Sequence, residues 1–425
     1  MSRLQPSSNF LFALLLLDFV VMFRFYALSN LLELGLVLSI VLAKDLRRKL
    51  LTVVKHKAVV SLGILILWMS FSIIWSEGGS SQIFEDLWTW RKCLLFVICL
   101  VLLDSVQRVR TLIVCFLMLM TFVAAVVLIM VAVINFTNDG EFIIEVVGRT
   151  PVHVLQNHTA QGVCSALAVV ALVAMRDQVD GMVSRQEKQN FLAYALLIPV
   201  WIWMGTYLGT SKSGYVSFLV IAIVLALASL NWRRRIADLL PVLIVSQFCV
   251  IVLAFGILAV GTAVVGSDNI GSLIFDNFGS SLSDLTSTSR RIIMYATTLD
   301  VINNNMMFGV GAGSFEQTAW ESTAFSSLDN SLRFRTNDPH NIYLSMSARY
   351  GLVGLFLFCL FVYQIAISIA KHETFRPFFL CVLILFLILG WFNTILETSV
   401  LGRFFFVFFG AAVALSEVSK TVDFE

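Results

Sequence analysis

The sequence has few charges and little proline: 13% of its 425 residues are charged and six are proline, whereas 59% are hydrophobic. A soluble domain of this length could not bury so much apolar surface. Runs of about twenty apolar residues, enough to cross roughly 30 Å of hydrocarbon, recur along the chain. These runs are too long and unbroken for barrel strands, and only helices or closed barrels satisfy the backbone in lipid. The composition therefore predicts an all-α, polytopic integral membrane protein.

Several signatures of common sites are also absent from the sequence. It contains no HExxH motif, no P-loop, no nucleophile elbow and no acidic cluster shaped for a divalent metal. Its seven cysteines fall within or at the ends of hydrophobic runs without CxxC spacing, which favours packing roles. No linker or internal repeat divides residues 1–425, and the net charge of +2 has no evident functional meaning. We therefore expect a single domain with no metal, no other cofactor and no nucleic-acid partner.

The hydrophobic runs predict about twelve transmembrane helices. They lie at 9–23, 26–43, 58–75, 93–104, 111–134, 160–175, 191–209, 214–230, 239–266, 342–370, 377–396 and 403–418. With a cytoplasmic N-terminus, 18 of the 29 Lys and Arg residues lie inside and 11 outside. This is the bias that the positive-inside rule predicts. The basic segment 44–57 is then a cytoplasmic loop, and the C-terminus is cytoplasmic as well.

The largest polar segment is 267–341, which this topology places outside the membrane between the ninth and tenth spans. A loop of that length usually has a function or folds locally. Within it, 290–303 has the pattern of a short amphipathic helix, with Thr288 and Ser289 as N-cap candidates. The glycine-rich 309–313 follows that helix and predicts a tight turn, not a nucleotide loop.

Several cations lie on the outer side, where the topology rule disfavours them. Arg91 and Lys92 precede the fourth span, and Lys212 lies in a very short outer turn of small hydroxyl residues. Arg290 and Arg291 occupy the first turn of the predicted helix, where the helix dipole disfavours positive charge. Guanidinium and ammonium groups are the usual partners of phosphate and pyrophosphate. Together these residues indicate a site for an anion.

Other charges near the membrane have a structural interpretation. Arg24, Arg349 and Arg403 are expected to anchor helix ends by reaching toward the lipid headgroups. Asp18 and Glu33 lie within the first two predicted spans. They could form a proton or ion path, or they could pair with Arg24.

His340 immediately precedes the tenth span. Asp338 is a plausible N-cap and Pro339 fits the first helical position, so His340 is predicted to lie in the first helical turn. An imidazole, whose ordinary pKa is about 6.5, can take a proton from a hydroxyl nucleophile. The alternative is a polar histidine that only caps the end of a helix.

Short motifs, in this order along the chain, resemble those of the O-antigen ligase and polymerase superfamily. They are Thr210-Ser-Lys212-Ser-Gly214, Arg291-Ile-Ile-Met-Tyr295, Phe308-Gly-Val-Gly-Ala-Gly-Ser-Phe315, Pro339-His340-Asn341-Ile-Tyr343-Leu344 and Gly351-Leu-Val-Gly354. Lys212 replaces the arginine of the family's Ser-Arg turn, and Met307 stands where the family often has proline. The resemblance implies a C-type glycosyltransferase fold that transfers a glycan from undecaprenyl diphosphate. It also implies the inner membrane of a Gram-negative bacterium, with the active site facing the periplasm.

The resemblance also implies roles for individual residues. His340 would activate the acceptor hydroxyl or stabilise the reaction centre. Arg291, together with Arg290 and Lys212, would bind the diphosphate and stabilise the leaving group. The reaction would invert the anomeric centre and need no metal, so stabilisation would be mainly electrostatic.

The segment 88–92 favours a ligase, which joins O-antigen to lipid A–core, over a polymerase. Trp88, Trp90, Arg91 and Lys92 form a short amphipathic stretch that could contact the acceptor or membrane lipids. A polymerase of O-antigen or exopolysaccharide that uses the same carrier remains the alternative. A flippase or other transporter is less well supported, because the ionisable groups concentrate in one outer loop and no internal repeat is present.

Overall fold

A computed structural model describes residues 7–137, 154–155, 158–179, 198–206, 212–227, 287–326, 335–371 and 375–422. These residues form helices joined by turns, and they contain no strand. The all-helical fold class is therefore confirmed over the described ranges.

The structure divides the described residues into α-helices and two short 3₁₀ helices, Ser72–Trp75 and Trp90–Lys92. The α-helices are α1 (Ser8–Val21), α2 (Tyr26–Leu42), α3 (Lys44–Val53), α4 (Lys57–Phe71), α5 (Ser80–Thr89), α6 (Cys93–Leu102), α7 (Val106–Thr137), α8 (His158–Val179), α9 (Ile198–Thr206), α10 (Lys212–Leu227), α11 (Ser287–Asn304), α12 (Phe315–Glu321), α13 (Thr323–Ser326), α14 (Ile342–Lys371), α15 (Arg376–Leu389) and α16 (Ser399–Val422).

The predicted spans coincide at least in part with described helices, except 239–266, which lies outside the described residues. Four helices in the described ranges are long and apolar enough to cross a membrane: Lys57–Trp75, Val106–Met130, Ile342–Lys371 and Ser399–Val418. The bent pair of α2 and α3 would make a fifth. Shorter apolar helices occur at Ser8–Val21, Thr159–Met175, Ser213–Val224 and Arg376–Leu389. The chain is thus a multi-pass membrane protein, and the number twelve stays a prediction.

The basic segment 44–57, predicted as a loop, is largely helical. α3 turns by 98° from α2, and it buries Leu46 while Arg47 and Arg48 are exposed. Leu50 lies one turn after Leu46 and is half-buried. This spacing gives the segment one apolar face, which favours a helix along the surface of the bundle over an irregular loop.

Helices α6 and α16 pack against each other, and the polar contacts beside them define two ends of the helix bundle. Where both helices begin, the Lys92 ammonium donates to the backbone carbonyls of Glu397 and Thr398 at 2.7 and 2.9 Å. Beyond the end of α6, Asp104 pairs with Lys49. We call the end with Lys92 and Thr398 the upper end, and the end with Asp104 the lower end.

The glycine-rich 309–313 is a tight turn, as predicted, and it lies at the upper end. Its three glycines have positive φ angles of 71°, 86° and 77°, and the Gly311 amide donates to the Arg349 carbonyl at 2.9 Å. A Cβ on Gly309 would lie 2.5 Å from the Arg349 carbonyl carbon. α14 is kinked here at Gly351, whose φ is 70° and ψ −175°. The turn at 309–313 therefore packs directly against the kink of α14.

Candidate active site

α11 presents the arginines of the predicted anion site. The helix begins at Ser287 and ends at Asn304, so the predicted helix is confirmed. The proposed N-caps Thr288 and Ser289 are wrong, because both lie inside the first turn. Arg290 is exposed and Arg291 is half-buried.

Tyr295 joins α11 to the His340 segment. Its hydroxyl donates to the backbone carbonyls of Trp391 at 3.0 Å and His340 at 3.3 Å. Arg291 lies one turn earlier on the same face of the helix. Burial raises the pKa of Tyr295, the Arg291 guanidinium opposes that rise and the Asp338 carboxylate adds to it. The hydrogen bond from Tyr295 to the His340 carbonyl therefore joins the helix that carries Arg291 to the His340 turn.

The backbone around His340 differs from the prediction. α14 begins at Ile342, and the side-chain oxygen of Asn341 accepts the backbone N–H of Tyr343 at 2.9 Å. Asn341, not Asp338, therefore caps the helix. Asp338 instead accepts the backbone N–H of His340 at 2.7 Å, which closes a local turn before the helix begins. His340 thus lies outside the helix, with a left-handed φ of 51°.

The side chains of His340 and Asp338 form a pair. Nδ1 of His340 lies 3.3 Å from Oδ2 of Asp338, and the two side chains are 39% and 41% exposed. Thr394 donates to the other oxygen of Asp338 at 2.8 Å. When Nδ1 carries the proton toward Asp338, Nε2 is the nitrogen that can accept one from a substrate. A left-handed backbone is uncommon for a non-glycine residue, and such strain is concentrated at functional sites.

A buried ion network lies behind this turn. Arg349 pairs with Asp86 of α5 and with Glu397, each at 3.0 Å. Asp86 also accepts the Gly313 amide at 2.9 Å and the Tyr350 hydroxyl at 3.2 Å. The side chain of Arg349 is only 3% exposed, so its predicted role as a headgroup anchor is wrong. The two carboxylates offset the cost of taking the guanidinium out of water.

The network extends to the segment that carries His340. Arg349 donates to the backbone carbonyl of Asn337 and to its side-chain oxygen, the latter at 3.2 Å. Asn337 directly precedes Asp338. Burial raises the pKa of Glu397, and the facing Arg349 guanidinium opposes that rise. The sequence analysis did not predict this network. Each of its three charged residues has an apolar neighbour in the sequence, and that pattern could have indicated buried ion pairs.

A second buried pair involves Arg403, which is fully buried and donates to Glu33. The expected anchoring role of Arg403 is therefore wrong as well. Arg24 is exposed and Glu33 pairs with Arg403, which corrects the suggested pairing with Arg24. Asp18 accepts the Ser29 hydroxyl at 2.6 Å.

The segment 88–92 is divided between surface and interior. Trp88 is 51% exposed, and the Arg91 guanidinium lies 4.8 Å from the centre of its ring. Trp90 and Lys92 are each 2% exposed, and burial lowers the pKa of Lys92 to about 7. Of the four predicted contact residues in this segment, Trp88 and Arg91 therefore present surface to which a lipid or an acceptor could bind.

Lys212 is the first residue of α10, and its side chain lies outside what the structure describes. Its neighbour Ser213 donates to Thr159 of α8 at 3.2 Å. α10 packs against α8 and α15. The diphosphate-binding role of Lys212 stays a prediction. Over the described ranges, no three His, Cys, Asp or Glu side chains come together as a metal site would require.

Comparison with known proteins adds a family to this geometry. Residues 195–359 match the family model for O-antigen ligase, a range that includes Lys212, Arg291, His340 and Arg349. No curated protein matches the chain. The family match confirms the resemblance drawn from the motifs. Residues 195–359, about two fifths of the chain, are therefore similar to the O-antigen ligase family.

Proposed function

We propose that this chain is an O-antigen ligase, which transfers O-antigen polysaccharide from undecaprenyl diphosphate to lipid A–core on the periplasmic face of the inner membrane. One observation carries the proposal: the Tyr295 hydroxyl, one turn after Arg291 on α11, donates to the backbone carbonyl of His340 at 3.3 Å, and His340 pairs with Asp338. The helix that carries a cation suited to a phosphate is thus joined to the turn that carries an imidazole supported by a carboxylate. The ligase and polymerase superfamily uses lipid-linked glycans of this kind.

In the proposed reaction, Nε2 of His340 takes the proton of an acceptor hydroxyl. The hydroxyl oxygen attacks the anomeric carbon of the donor sugar from the face opposite the diphosphate, so the configuration inverts. Asp338, 3.3 Å from Nδ1, stabilises the imidazolium that forms. General base catalysis of this kind contributes roughly 10²- to 10⁴-fold in rate.

The bond between the anomeric carbon and the diphosphate oxygen breaks in the same step. The leaving undecaprenyl diphosphate carries the developing negative charge, which Arg291, Arg290 and Lys212 would stabilise. The proposed mechanism uses no metal, so EDTA should leave the transfer rate of the purified enzyme unchanged. Clear inhibition by EDTA would contradict a metal-independent reaction.

The choice of ligase over polymerase is based on the surface part of segment 88–92. The exposed Trp88 ring, with Arg91 over it at 4.8 Å, has the chemistry of a membrane–water interface, where aromatic rings favour the headgroup region and cations attract phosphates. A ligase must admit a bulky lipid acceptor from the membrane beside the carrier. A polymerase would use the same carrier at the same cations, but its acceptor is a second carrier-linked glycan.

A deletion strain tests the proposal. A ligase deletion should leave lipid A–core without O-antigen, while long polymer accumulates on the undecaprenyl carrier. Complementation by the wild-type gene should restore the ladder on a silver-stained gel, and the matched His340→Asn gene should not. A core band that carries a single repeat unit would identify a polymerase and refute the ligase.

A further inference from the structure

Helix α3 is a strongly basic helix at the lower end of the bundle, and the proposed mechanism does not use it. The segment 44–57 contains six Lys and Arg residues and one acidic residue. One of these cations, Lys49, pairs with Asp104 beyond the end of α6, and α3 packs against α2 and α6. Arg47 and Arg48 are exposed. This excess of positive charge favours an anionic partner outside the bundle.

The bend before α3 turns the helix along the membrane surface. α2 is an apolar helix of 17 residues, about 25 Å long, and α3 turns by 98° from it. Leu31, Leu38 and Leu42 of α2 are exposed, and their spacing places them on one side of the helix. An exposed apolar stripe on a membrane span faces lipid. Leu42 is the last residue of α2, so this stripe extends to the bend and α3 begins at the boundary of the hydrocarbon.

α3 has two adjacent apolar faces. The buried Leu46 and the half-buried Leu50 form the face toward the bundle. Leu51 and the C-cap residue Val54 share the neighbouring face with Arg47, at spacings of three and four residues. They are 60% and 42% exposed. An apolar edge beside basic side chains is the pattern of a helix that lies in the membrane–water interface.

We propose that α3 lies in this interface and binds anionic phospholipids of the leaflet at the lower end. Arg47 and Arg48 pair with the lipid phosphates, and Leu51 and Val54 contact the acyl chains. Guanidinium groups bind phosphate through two parallel hydrogen bonds. Basic clusters beside a membrane span are attracted to the anionic lipids of the cytoplasmic leaflet, which is the leaflet that the positive-inside rule predicts for this end.

The apolar edge of α3 favours a phospholipid over free phosphate, because only the lipid has acyl chains to contact Leu51 and Val54. The inference does not depend on the proposed function, since α3 carries none of the residues proposed for glycan transfer.

Native mass spectrometry of the purified full-length protein tests the site, with dioleoylphosphatidylglycerol and dioleoylphosphatidylcholine as the two probes. Wild type should bind phosphatidylglycerol more tightly than phosphatidylcholine. Arg47→Gln and Arg48→Gln should each weaken phosphatidylglycerol binding about fivefold, the effect of one cation near an anionic surface. Lys49→Gln is the matched control on the same helix, because the Lys49 ammonium already pairs with Asp104. It should change the affinity by less than about twofold.

Hydrogen exchange in lipid nanodiscs locates the bound lipid on the chain. The amides of 47–54 should exchange about fivefold more slowly in phosphatidylglycerol than in phosphatidylcholine. The double variant Arg47→Gln/Arg48→Gln should abolish this difference. The amides of α12 should exchange at the same rate in both lipids and in the double variant.

Leu51→Ser separates a phospholipid from a free anion, because it keeps every cation and replaces an exposed side chain. It should weaken phosphatidylglycerol binding about fivefold. Unchanged binding by Leu51→Ser, or displacement of the lipid by an equal concentration of inorganic phosphate, would show an anion site without acyl-chain contact and overturn the proposal. Equal affinity of wild type for the two phospholipids, or normal phosphatidylglycerol binding by the double variant, would overturn it as well.

Discussion

At the lower end of the bundle, Lys49 pairs with Asp104 while their side chains stay 44% and 38% exposed. At the upper end, Arg349 pairs with Asp86 and Glu397, and these three side chains are 3%, 3% and 12% exposed. Both ends lie next to apolar helices, yet only the upper network is removed from water. The lower pair is therefore a surface ion pair, whereas the upper network is a buried one that contacts the segment carrying the candidate site.

The energetic consequences of the two arrangements differ. An exposed ion pair contributes about 0–1 kcal/mol, because water and salt screen it. A buried pair gains little over apolar packing, but removal of one partner costs about 3–5 kcal/mol, because the other charge remains buried. Net stability therefore explains the buried Arg349 poorly. Its contacts to Asn337, which precedes the Asp338–His340 pair, give it a role in positioning that pair.

The largest expected effect concerns which side of the membrane each end faces. Reporter fusions after Gly266 and before Pro339 should read periplasmic, whereas fusions at Arg48, Arg234 and Lys371 should read cytoplasmic. The reason is the bias of Lys and Arg toward the cytoplasmic loops. Alkaline phosphatase and fluorescent-protein fusions measure this directly. A cytoplasmic signal from 267–341 would remove the basis of the proposed function, because the sugar of the carrier faces the periplasm.

Disruption of the upper network should have the next largest effect. Arg349→Ala leaves Asp86 and Glu397 buried without their cation, so we expect a loss of about 3–5 kcal/mol in unfolding free energy. Thermal unfolding of the purified protein measures this loss. Arg349→Lys keeps the charge but loses the planar fork, and it should retain the fold while transfer slows. A variant Arg349→Ala with wild-type stability and transfer would refute the positioning role.

Substitutions at the reaction centre should reduce rate with little effect on stability. His340→Asn removes the base but tolerates the left-handed backbone, and Arg291→Ala removes the cation. Each should slow transfer about 10²- to 10³-fold, the cost of losing one preorganised contact to developing charge. Transfer from a lipid-linked donor, measured at matched protein levels, checks both.

Lys212 serves as an internal comparison for the same experiment. Lys212→Arg should retain transfer activity, because arginine keeps the positive charge and adds hydrogen-bond donors. Lys212→Ala should lose activity, because it removes the cation. Near-normal transfer by His340→Asn would reduce the histidine to a structural role in its turn. Full activity of Lys212→Ala would remove Lys212 from the proposed diphosphate site.

The smallest effect should come from the lower end. Lys49→Ala removes an exposed partner of Asp104 and should cost less than about 1 kcal/mol, with transfer unchanged. The same unfolding measurement used for Arg349→Ala provides the direct contrast. A loss from Lys49→Ala as large as that from Arg349→Ala would show that burial does not distinguish the two ends.

Features that depend on neighbours in sequence could be predicted. Apolar runs predicted the helices, the amphipathic pattern predicted α11, and the glycines at 309–313 predicted a tight turn. The motifs around Arg291 and His340 predicted the resemblance to O-antigen ligases, which the family match over 195–359 supports. The helix α3 was not predicted. The many charges of 44–57 indicated a loop, and the one-turn spacing of Leu46 and Leu50, which favours a helix, was not taken into account.

The sequence by itself predicted the helical membrane fold, the resemblance to the O-antigen ligase family and the two residues proposed for the chemistry, because hydropathy and motif spacing are local properties. Tertiary structure decided how Arg349 is used: Asp86 lies 263 residues away along the chain, and no local pattern reports such a partner. It also decided that α14 begins at Ile342. Asp338 accepts the backbone N–H of His340 in a local turn and therefore does not cap the helix. Long-range ion pairs and the choice between two local turns depend on packing between distant segments, which only the folded chain supplies.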